Sequence, residues 1–594
     1  MLSPEKPTAS GWRLPAFEVP SALRALVRAR ESSLVILGAL IGALAGMLVA
    51  AMSFAVTLLH TGLFGVPINE RLSAMQSLDP ALAVLVPTLG GLAFGLALML
   101  LARWRPAREV DPIEANALHG GRMSLRGSFI VTVQTIWSSG VGASVGLEAG
   151  YTQLASGFAS WIGHAFRLRR RDLRVLVGCG AAGAIAGAFG APLGGAFYAF
   201  ELVIGSYSVT SLAPVGIAAL VGYLVANLFN PSRLGIEIPY VMHVTGHDLA
   251  LAVAIGLVAA FLGILLMRGV GLWEQALSRL RIPALLRPAV GGLIVGSLAL
   301  VTPQVLASGH GAIHIAGMLE SPLKAIALLF VLKALASIVS LGSGFRGGLF
   351  FASLLLGALA GRILAEGASY LSPAFTLDPH VYAVIGMGAL SVSVIGGPLT
   401  MTFIALESTG DLWLTTAVLI AVIISAQVTR EMFGYSFATW RFHLRGETIR
   451  SAADVGWIRE LNVRRMMRGD VRTVPAHTTI ARFRLVFPLG STAQVVALDE
   501  KKGYAGIILT AEVHAPELDE TKPVREILHH ADTTLTPNMS VKDAVYAFDR
   551  AEAEALAVIE TRESRAVIGL LTESHALRRY AEELELRRRE LTGE

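Results

Sequence analysis

The chain has 594 residues, of which 54% are hydrophobic and only 16% are charged. Soluble domains usually carry about 25% charged residues, so the composition excludes an ordinary soluble protein. The net charge of +5 is spread over loops and the C-terminal region, which indicates membrane topology and no nucleic-acid partner. The single cysteine, Cys179, excludes an intrachain disulfide.

Apolar stretches long enough to cross a membrane recur through the first two thirds of the chain. The uninterrupted ones are 34–59, 81–102, 209–228, 249–267, 322–341 and 412–429. Others are short or broken by Gly and Pro: 127–147, 175–203, 288–302, 347–366 and 381–406. Broken segments are typical of helices that stop near the midplane to build a binding site. We therefore predict an all-α polytopic membrane domain with broken helices.

Composition divides the chain into segments whose order predicts the topology. They are a cytoplasmic N-terminal segment (1–33), a membrane domain (34–440), a linker (441–462), a soluble α/β domain (463–583) and a charged C-terminal tail (584–594). Basic residues flank the spans near 103–108, 167–174 and 441–445. Because such residues favour the cytoplasmic side, we place both termini in the cytoplasm, at a bacterial inner membrane.

The membrane domain repeats itself. The segment 146–148 (G-L-E) has a counterpart at 348–350 (G-L-F), and Glu201 and Glu407 each follow the proline of a Pro-Leu pair by nine residues. If each half holds an odd number of spans, the halves are inverted and the site lies between them. The symmetry of the two glutamates favours a shared structural role, such as bonding helix ends or the dimer face, over proton transfer.

Glu148 is a lone carboxylate between glycines, deep in an apolar region. An ionisable residue in a membrane is costly, which makes it a functional-site hypothesis. Flanking glycines let backbone N–H groups approach a ligand, and helix N-termini bind anions. This segment predicts an anion pathway with an acidic gate.

These motifs together resemble the CLC family of chloride channels and chloride/proton exchangers. Residues 146–150 (G-L-E-A-G) resemble the family's second anion-binding segment, and 343–352 (S-G-F-R-G-G-L-F-F-A) resemble the third with its lead-in. Residues 190–193 (G-A-P-L) and Tyr435 resemble two further family motifs. The resemblance extends over nearly the whole chain, because 463–513 and 524–583 resemble a pair of CBS domains.

The resemblance implies a homodimer in the lipid bilayer, with one pore in each subunit. Chloride and other small anions would bind there, and Glu148 would be the gating glutamate that competes with them and takes up protons. The anion-binding groups implied are the backbone amides of Leu147, Glu148, Ala149, Leu349 and Phe350 and the hydroxyl of Tyr435.

Two positions depart from the family pattern. Residues 108–112 (R-E-V-D-P) keep the proline of the family's first segment, G-S-G-x-P, but place Glu109 where the serine binds the central anion. A carboxylate there repels chloride unless it is protonated or paired, for example with Arg108; the alternative is a loop glutamate outside the pore. Leu202 stands where family exchangers carry an internal proton-transfer glutamate. Glu109 is a candidate replacement for that proton site.

The CBS-like region predicts no cofactor. CBS pairs that bind adenine nucleotides use an aspartate three residues after a turn threonine, and Val513 and His575 stand at those positions. We therefore expect no bound nucleotide, and the spacing of the histidines predicts no metal site.

We expect chloride transport gated by protonation of Glu148, as a channel or a weakly coupled transporter. The alternatives are chloride/proton exchange through a non-standard proton route, and a membrane sensor that does not transport. An enzyme is not expected, because the sequence offers no nucleophile–base pair or metal motif, and hence no catalytic residues.

Overall fold

A computed structural model describes residues 31–104, 109–229, 246–309, 321–371, 378–437, 439–440, 462–561 and 563–579, together with 20, 24, 244 and 582. The chain divides into two compact units, Met1–Asp454 and Val455–Glu594. Much of the predicted N-terminal segment, linker and tail lies outside the described residues, as does Arg108.

In its described residues, the first unit is built from α-helices, and eight of them are long and apolar enough to cross a membrane. The chain is therefore an integral, multi-pass membrane protein, and the predicted fold class is confirmed. The α-helices among its described residues are α1 (Glu31–Phe64), α2 (Pro80–Trp104), α3 (Pro112–Leu118), α4 (Leu125–Gly140), α5 (Glu148–Ala165), α6 (Arg170–Phe189), α7 (Pro192–Tyr198), α8 (Val209–Phe229), α9 (Gly246–Arg279), α10 (Arg287–Ala299), α11 (Leu323–Gly342), α12 (Phe350–Leu371), α13 (Pro379–Ile395), α14 (Pro398–Thr409) and α15 (Leu412–Met432).

The predicted breaks occur at matching places in the two halves. Helix α6 ends at Gly190, whose φ is 68°, and α13 ends at Gly396, whose φ is 89°. Each glycine adopts the left-handed conformation that closes a helix, and a proline at the first position of α7 or α14 starts the next one. Each apolar stretch therefore becomes two consecutive helices instead of one.

Reciprocal contacts relate the two halves. Gly146 and Gly348 exchange backbone hydrogen bonds of 2.9 and 3.0 Å as an antiparallel bridge. The Glu407 carboxylate accepts hydrogen bonds from the start of α7, and the Glu201 carboxylate accepts them from the start of α14. A pseudo-two-fold axis generates contacts in pairs: when a residue of the first half contacts a segment of the second half, its counterpart in the second half contacts the matching segment of the first. The halves are therefore related by a pseudo-two-fold axis, as the predicted inverted repeat requires.

Small residues let the helices inside each half approach closely. A methyl group added at Gly361 would overlap the Tyr382 backbone oxygen, so α12 and α13 touch backbone to backbone. Gly180 makes the counterpart approach between α6 and α5, because a methyl group added there would overlap the Ala155 backbone. In a bilayer, where apolar burial gives little force between helices, such close packing supplies the association.

The second unit contains strands β1 (Thr473–Pro475), β2 (Gln494–Leu498), β3 (Tyr504–Leu509), β4 (Ala555–Ile559) and β5 (Val567–Thr572). Strand β2 pairs in parallel with β1 and antiparallel with β3. Strand β4 pairs antiparallel with β5, and Val558 forms a parallel bridge with Leu535. Helices Ile480–Val486 and Val541–Ala551 connect the parallel partners. The strand–helix–hairpin pattern thus occurs twice, as the resemblance to a pair of CBS domains predicts.

Two features differ from the sequence-based expectation. A lysine in an apolar run usually extends its ammonium to the membrane surface. Lys333 is instead fully buried, and its ammonium donates to the Val305 and Ala307 carbonyls at 3.1 and 2.8 Å. Helix α5 was not among the predicted stretches. Its serines pack inward, where Ser156 and Ser160 donate to the backbone oxygens of Val177 and Gly121. Hydropathy cannot detect a helix of this kind.

Candidate functional site

Glu148 begins helix α5 and lies where the two halves meet. Only 4% of its surface is exposed. Its Oε1 accepts a hydrogen bond of 3.1 Å from the Phe351 backbone nitrogen, at the start of α12. Its Oε2 has no hydrogen-bond partner among the described residues and is the nearest atom to the open sides of Gly146 and Gly348. The carboxylate therefore lies between the two glycine segments.

Two helix starts converge on this carboxylate. No side chain caps α5, which follows Leu147, in the way Asp111 caps α3. At the start of α12, the side chain that accepts from an opening N–H group is Glu148 itself. The first N–H groups of a helix are unsatisfied within it and carry a partial positive charge. The bridge between Gly146 and Gly348 holds the two starts together. They form a backbone cradle for a negative charge, and Glu148 supplies one.

A cavity of about 140 Å³ adjoins Glu148. It brings together most of the predicted site residues, since Glu148, Ala149, Leu349, Phe350, Glu109 and Leu202 all line it. Leu147 is not among the lining residues, but its position immediately before α5 is the N-terminal cap. The side chain of Arg346 also lies in the wall.

Acidic side chains other than Glu148 also line the cavity. Glu109 is one of them, and its side chain lies against Gly127. Asp111, which sequence reasoning missed, is another; its carboxylate accepts a 2.9 Å hydrogen bond from the Ile113 nitrogen and caps α3. The signal was present, because an aspartate directly before a proline is a typical cap for a helix that starts with that proline.

Tyr435 lies at a different cavity. This second cavity, of about 320 Å³, is lined by Tyr435, Glu201, Tyr207 and their neighbours. Ile113 and Leu202 line both cavities, so two apolar side chains stand between them. The structure thus places Tyr435 on the other side of this partition from Glu148. The tyrosine that shares the cavity with Glu148 is Tyr198, which sequence reasoning also missed.

Glu201 and Glu407 have structural partners. Glu201 accepts hydrogen bonds of 2.9 Å from the Leu399 and Thr400 nitrogens, and Glu407 accepts 2.8 and 2.9 Å bonds from the Leu193 and Gly194 nitrogens. A carboxylate on the opening N–H groups of a helix satisfies them and favours the helix dipole. The expected bonding of helix ends is therefore confirmed.

Fold and site together define a class: a multi-pass membrane protein with an inverted repeat, whose two halves meet at a backbone cradle for a negative charge. The family model described as voltage gated chloride channel matches residues 90–430, and the CBS domain model matches 524–582. The chain belongs to this CLC family, which consists of channels and transporters rather than enzymes.

Relatives and solved structures agree with this assignment. A ClcB-like chloride channel protein of Ralstonia nicotianae is 34% identical over 333 residues, which are 55% of this chain and 77% of the relative. The voltage-gated ClC-type chloride channel ClcB of Escherichia coli is 30% identical over 403 residues, which are 67% of this chain and 96% of the relative.

Two solved structures share the fold. A slow cyanobacterial Cl−/H+ antiporter superposes with a TM-score of 0.61 at 20% identity, covering 69% of this chain and 97% of its own. A eukaryotic CLC transporter superposes with a TM-score of 0.58 at 19% identity, covering 93% of this chain and 98% of its own.

Proposed function

We propose that the protein transports chloride and other small anions through the cavity beside Glu148, and that protonation of Glu148 gates this transport. The observation that carries the proposal is the place of the carboxylate at two converging helix starts. An ionised Glu148 there acts as a tethered anion and competes with chloride. A protonated Glu148 has lost the charge that holds it, so a diffusible anion can replace it.

We propose further that coupling to protons is weak or absent. A coupled exchanger needs a proton path from the cytoplasmic side to Glu148, and Leu202, which cannot carry a proton, lies between the two cavities. Backbone amides carry no full positive charge, so they bind an anion weakly enough for it to leave again. Rapid ion passage requires such release. This arrangement favours a channel or a weakly coupled transporter.

Chloride/proton exchange is the second candidate, and one observation favours it. Glu109 and Asp111 line the same cavity as Glu148, so two carboxylates other than a glutamate at position 202 are candidates to pass protons toward the gate. The relatives named above include both chloride channels and a Cl−/H+ antiporter. The two mechanisms predict different proton movements.

Simultaneous recording of chloride efflux and proton flux from liposomes that hold the purified protein separates these candidates. We expect chloride efflux with little proton movement. Uphill proton movement driven by chloride would establish exchange, and Glu109→Gln and Asp111→Asn would then show which carboxylate carries the protons. Protein-free liposomes and liposomes with a Glu148→Ala protein are the controls. A wild-type protein without flux of any small anion would favour a sensor.

The remaining properties are part of the same proposal. We propose a homodimer in a bacterial inner membrane, with both termini in the cytoplasm and one pore in each subunit. Bound chloride is the expected ligand. Tyr435, which lines the second cavity on the far side of Leu202, offers an anion a further hydroxyl group to bind. The CBS pair would act structurally or in regulation without a bound nucleotide, since Val513 and His575 replace the ribose-binding aspartates.

A further inference from the structure

Tyr198 is the last residue of α7, where the chain passes into a π-helical turn at Ala199–Ile204. Such turns are rare in proteins overall, and those that occur often lie at functional sites. The Tyr198 ring packs on Phe350 with the ring centroids 6.1 Å apart, and Phe350 packs on Phe189 at 4.3 Å. The ring is thus held against the helix start that helps to cradle Glu148.

The hydroxyl group of Tyr198 is unused. It has no hydrogen-bond partner among the described residues, although a tyrosine that is largely buried usually finds one. Tyr198 lines the 140 Å³ cavity together with Asp111 and Glu148. A hydroxyl in such surroundings can donate its proton to an acceptor in the cavity.

Comparison with the other donors in the wall makes Tyr198 distinctive. Among the described lining residues, the neutral side-chain donors are Thr152, Gln153 and Tyr198. The Thr152 hydroxyl donates to the Glu148 carbonyl at 2.9 Å, and the Gln153 amide donates to the Val110 carbonyl at 2.8 Å. Tyr198 is the one of the three that remains available to a ligand.

We propose that the Tyr198 hydroxyl donates a hydrogen bond to the transported anion in this cavity and thereby sets anion affinity and selectivity. It supplies the side-chain donor that the acidic segment at Glu109 does not provide. This inference deepens the proposed function and rests on it. It assigns the contact to a residue on the same side of Leu202 as the gate, in addition to any role of Tyr435 in the second cavity.

The test compares Tyr198→Phe with the wild type, because this change removes the hydroxyl and keeps the ring on Phe350. Chloride and bromide affinities are measured by calorimetry on the purified full-length protein, and halide selectivity by liposome flux. We expect Tyr198→Phe to weaken chloride binding about tenfold and to change the chloride/bromide ratio. Tyr223→Phe, which removes a hydroxyl outside both cavities, is the matched control and should bind as the wild type does.

A bromide soak gives an independent readout. We expect an anomalous peak within hydrogen-bond distance of Tyr198 Oη in wild-type crystals, and its loss in Tyr198→Phe. Unchanged thermal unfolding of this variant would exclude a merely structural effect. Wild-type affinity and selectivity in Tyr198→Phe would overturn the inference alone, and so would a loss confined to Tyr435→Phe. A wild-type protein that neither binds nor transports chloride would overturn the proposed function with it.

Discussion

The carboxylate of Glu148 is held by backbone rather than by a cation. Its described partner is the Phe351 nitrogen, and the glycines on either side leave room for its second oxygen. A backbone N–H binds an anion without a full charge, so it does not distinguish strongly between a carboxylate and a halide. This equality allows Glu148 and chloride to compete for one place.

The first prediction concerns the pH dependence of flux. Acidification protonates Glu148, removes the tethered negative charge and weakens its competition with chloride, so wild-type chloride flux should rise as pH falls. Glu148→Gln carries no charge at any pH, so its flux should be high and nearly independent of pH. Liposome efflux measured between about pH 4.5 and 7.5 tests this, since that range spans ordinary and raised carboxyl titrations. A Glu148→Gln variant that keeps the wild-type pH profile would show that another group is the gate.

The second prediction concerns Glu109. An ionised carboxylate in the wall of the cavity repels chloride, and the repulsion is stronger than in water because the effective dielectric constant is lower. Glu109→Gln should therefore raise apparent chloride affinity about threefold or more at neutral pH. Glu70→Gln changes an exposed carboxylate that does not line the cavity and is the control. Equal affinities in Glu109→Gln and the wild type would place Glu109 outside the anion path.

At the level of elements, the sequence predicted most of the helix breaks. The Gly-Pro signals at 190–192 and 396–398 have a direct physical meaning, because left-handed glycine ends a helix and proline starts one. Helix α5 could not be predicted in this way, since its inward-facing serines depend on acceptors from distant residues such as Val177. Tyr198 could not be predicted as a site residue for a similar reason. Its place in the wall of the Glu148 cavity depends on packing against Phe350, which is distant in sequence.

The third prediction compares two glycines of α12. Gly361→Ala would force a methyl group against the Tyr382 backbone oxygen and push α12 away from α13, at a cost of about 1–3 kcal/mol of unfolding free energy. Gly367→Ala lies in the same helix but faces open space, so it should change stability by less than about 1 kcal/mol, in the stabilising direction. Thermal unfolding in one detergent measures both. Equal unfolding temperatures would mean that the two helices do not need this close contact.

For the whole molecule, the inverted repeat places a complete cradle inside one chain. Glu148 and its Phe351 partner come from opposite halves of the same subunit, as do the reciprocal partners of Glu201 and Glu407. The expected dimer is therefore not needed to assemble the site. Its two pores should work independently.

The fourth prediction tests this independence. Consider a tandem dimer with Glu148→Gln in one subunit only. Its chloride flux should be the sum of a pH-dependent part, equal to half the flux of the wild-type homodimer, and a pH-independent part, equal to half the flux of the Glu148→Gln homodimer. The physical reason is that the gate carboxylate finds its helix-start partner, the Phe351 nitrogen, within its own subunit. Efflux from liposomes with fewer than one dimer each, on average, measures the parts separately. A tandem dimer in which both parts follow the wild-type pH profile, or both lose it, would show that the gates are coupled across the dimer.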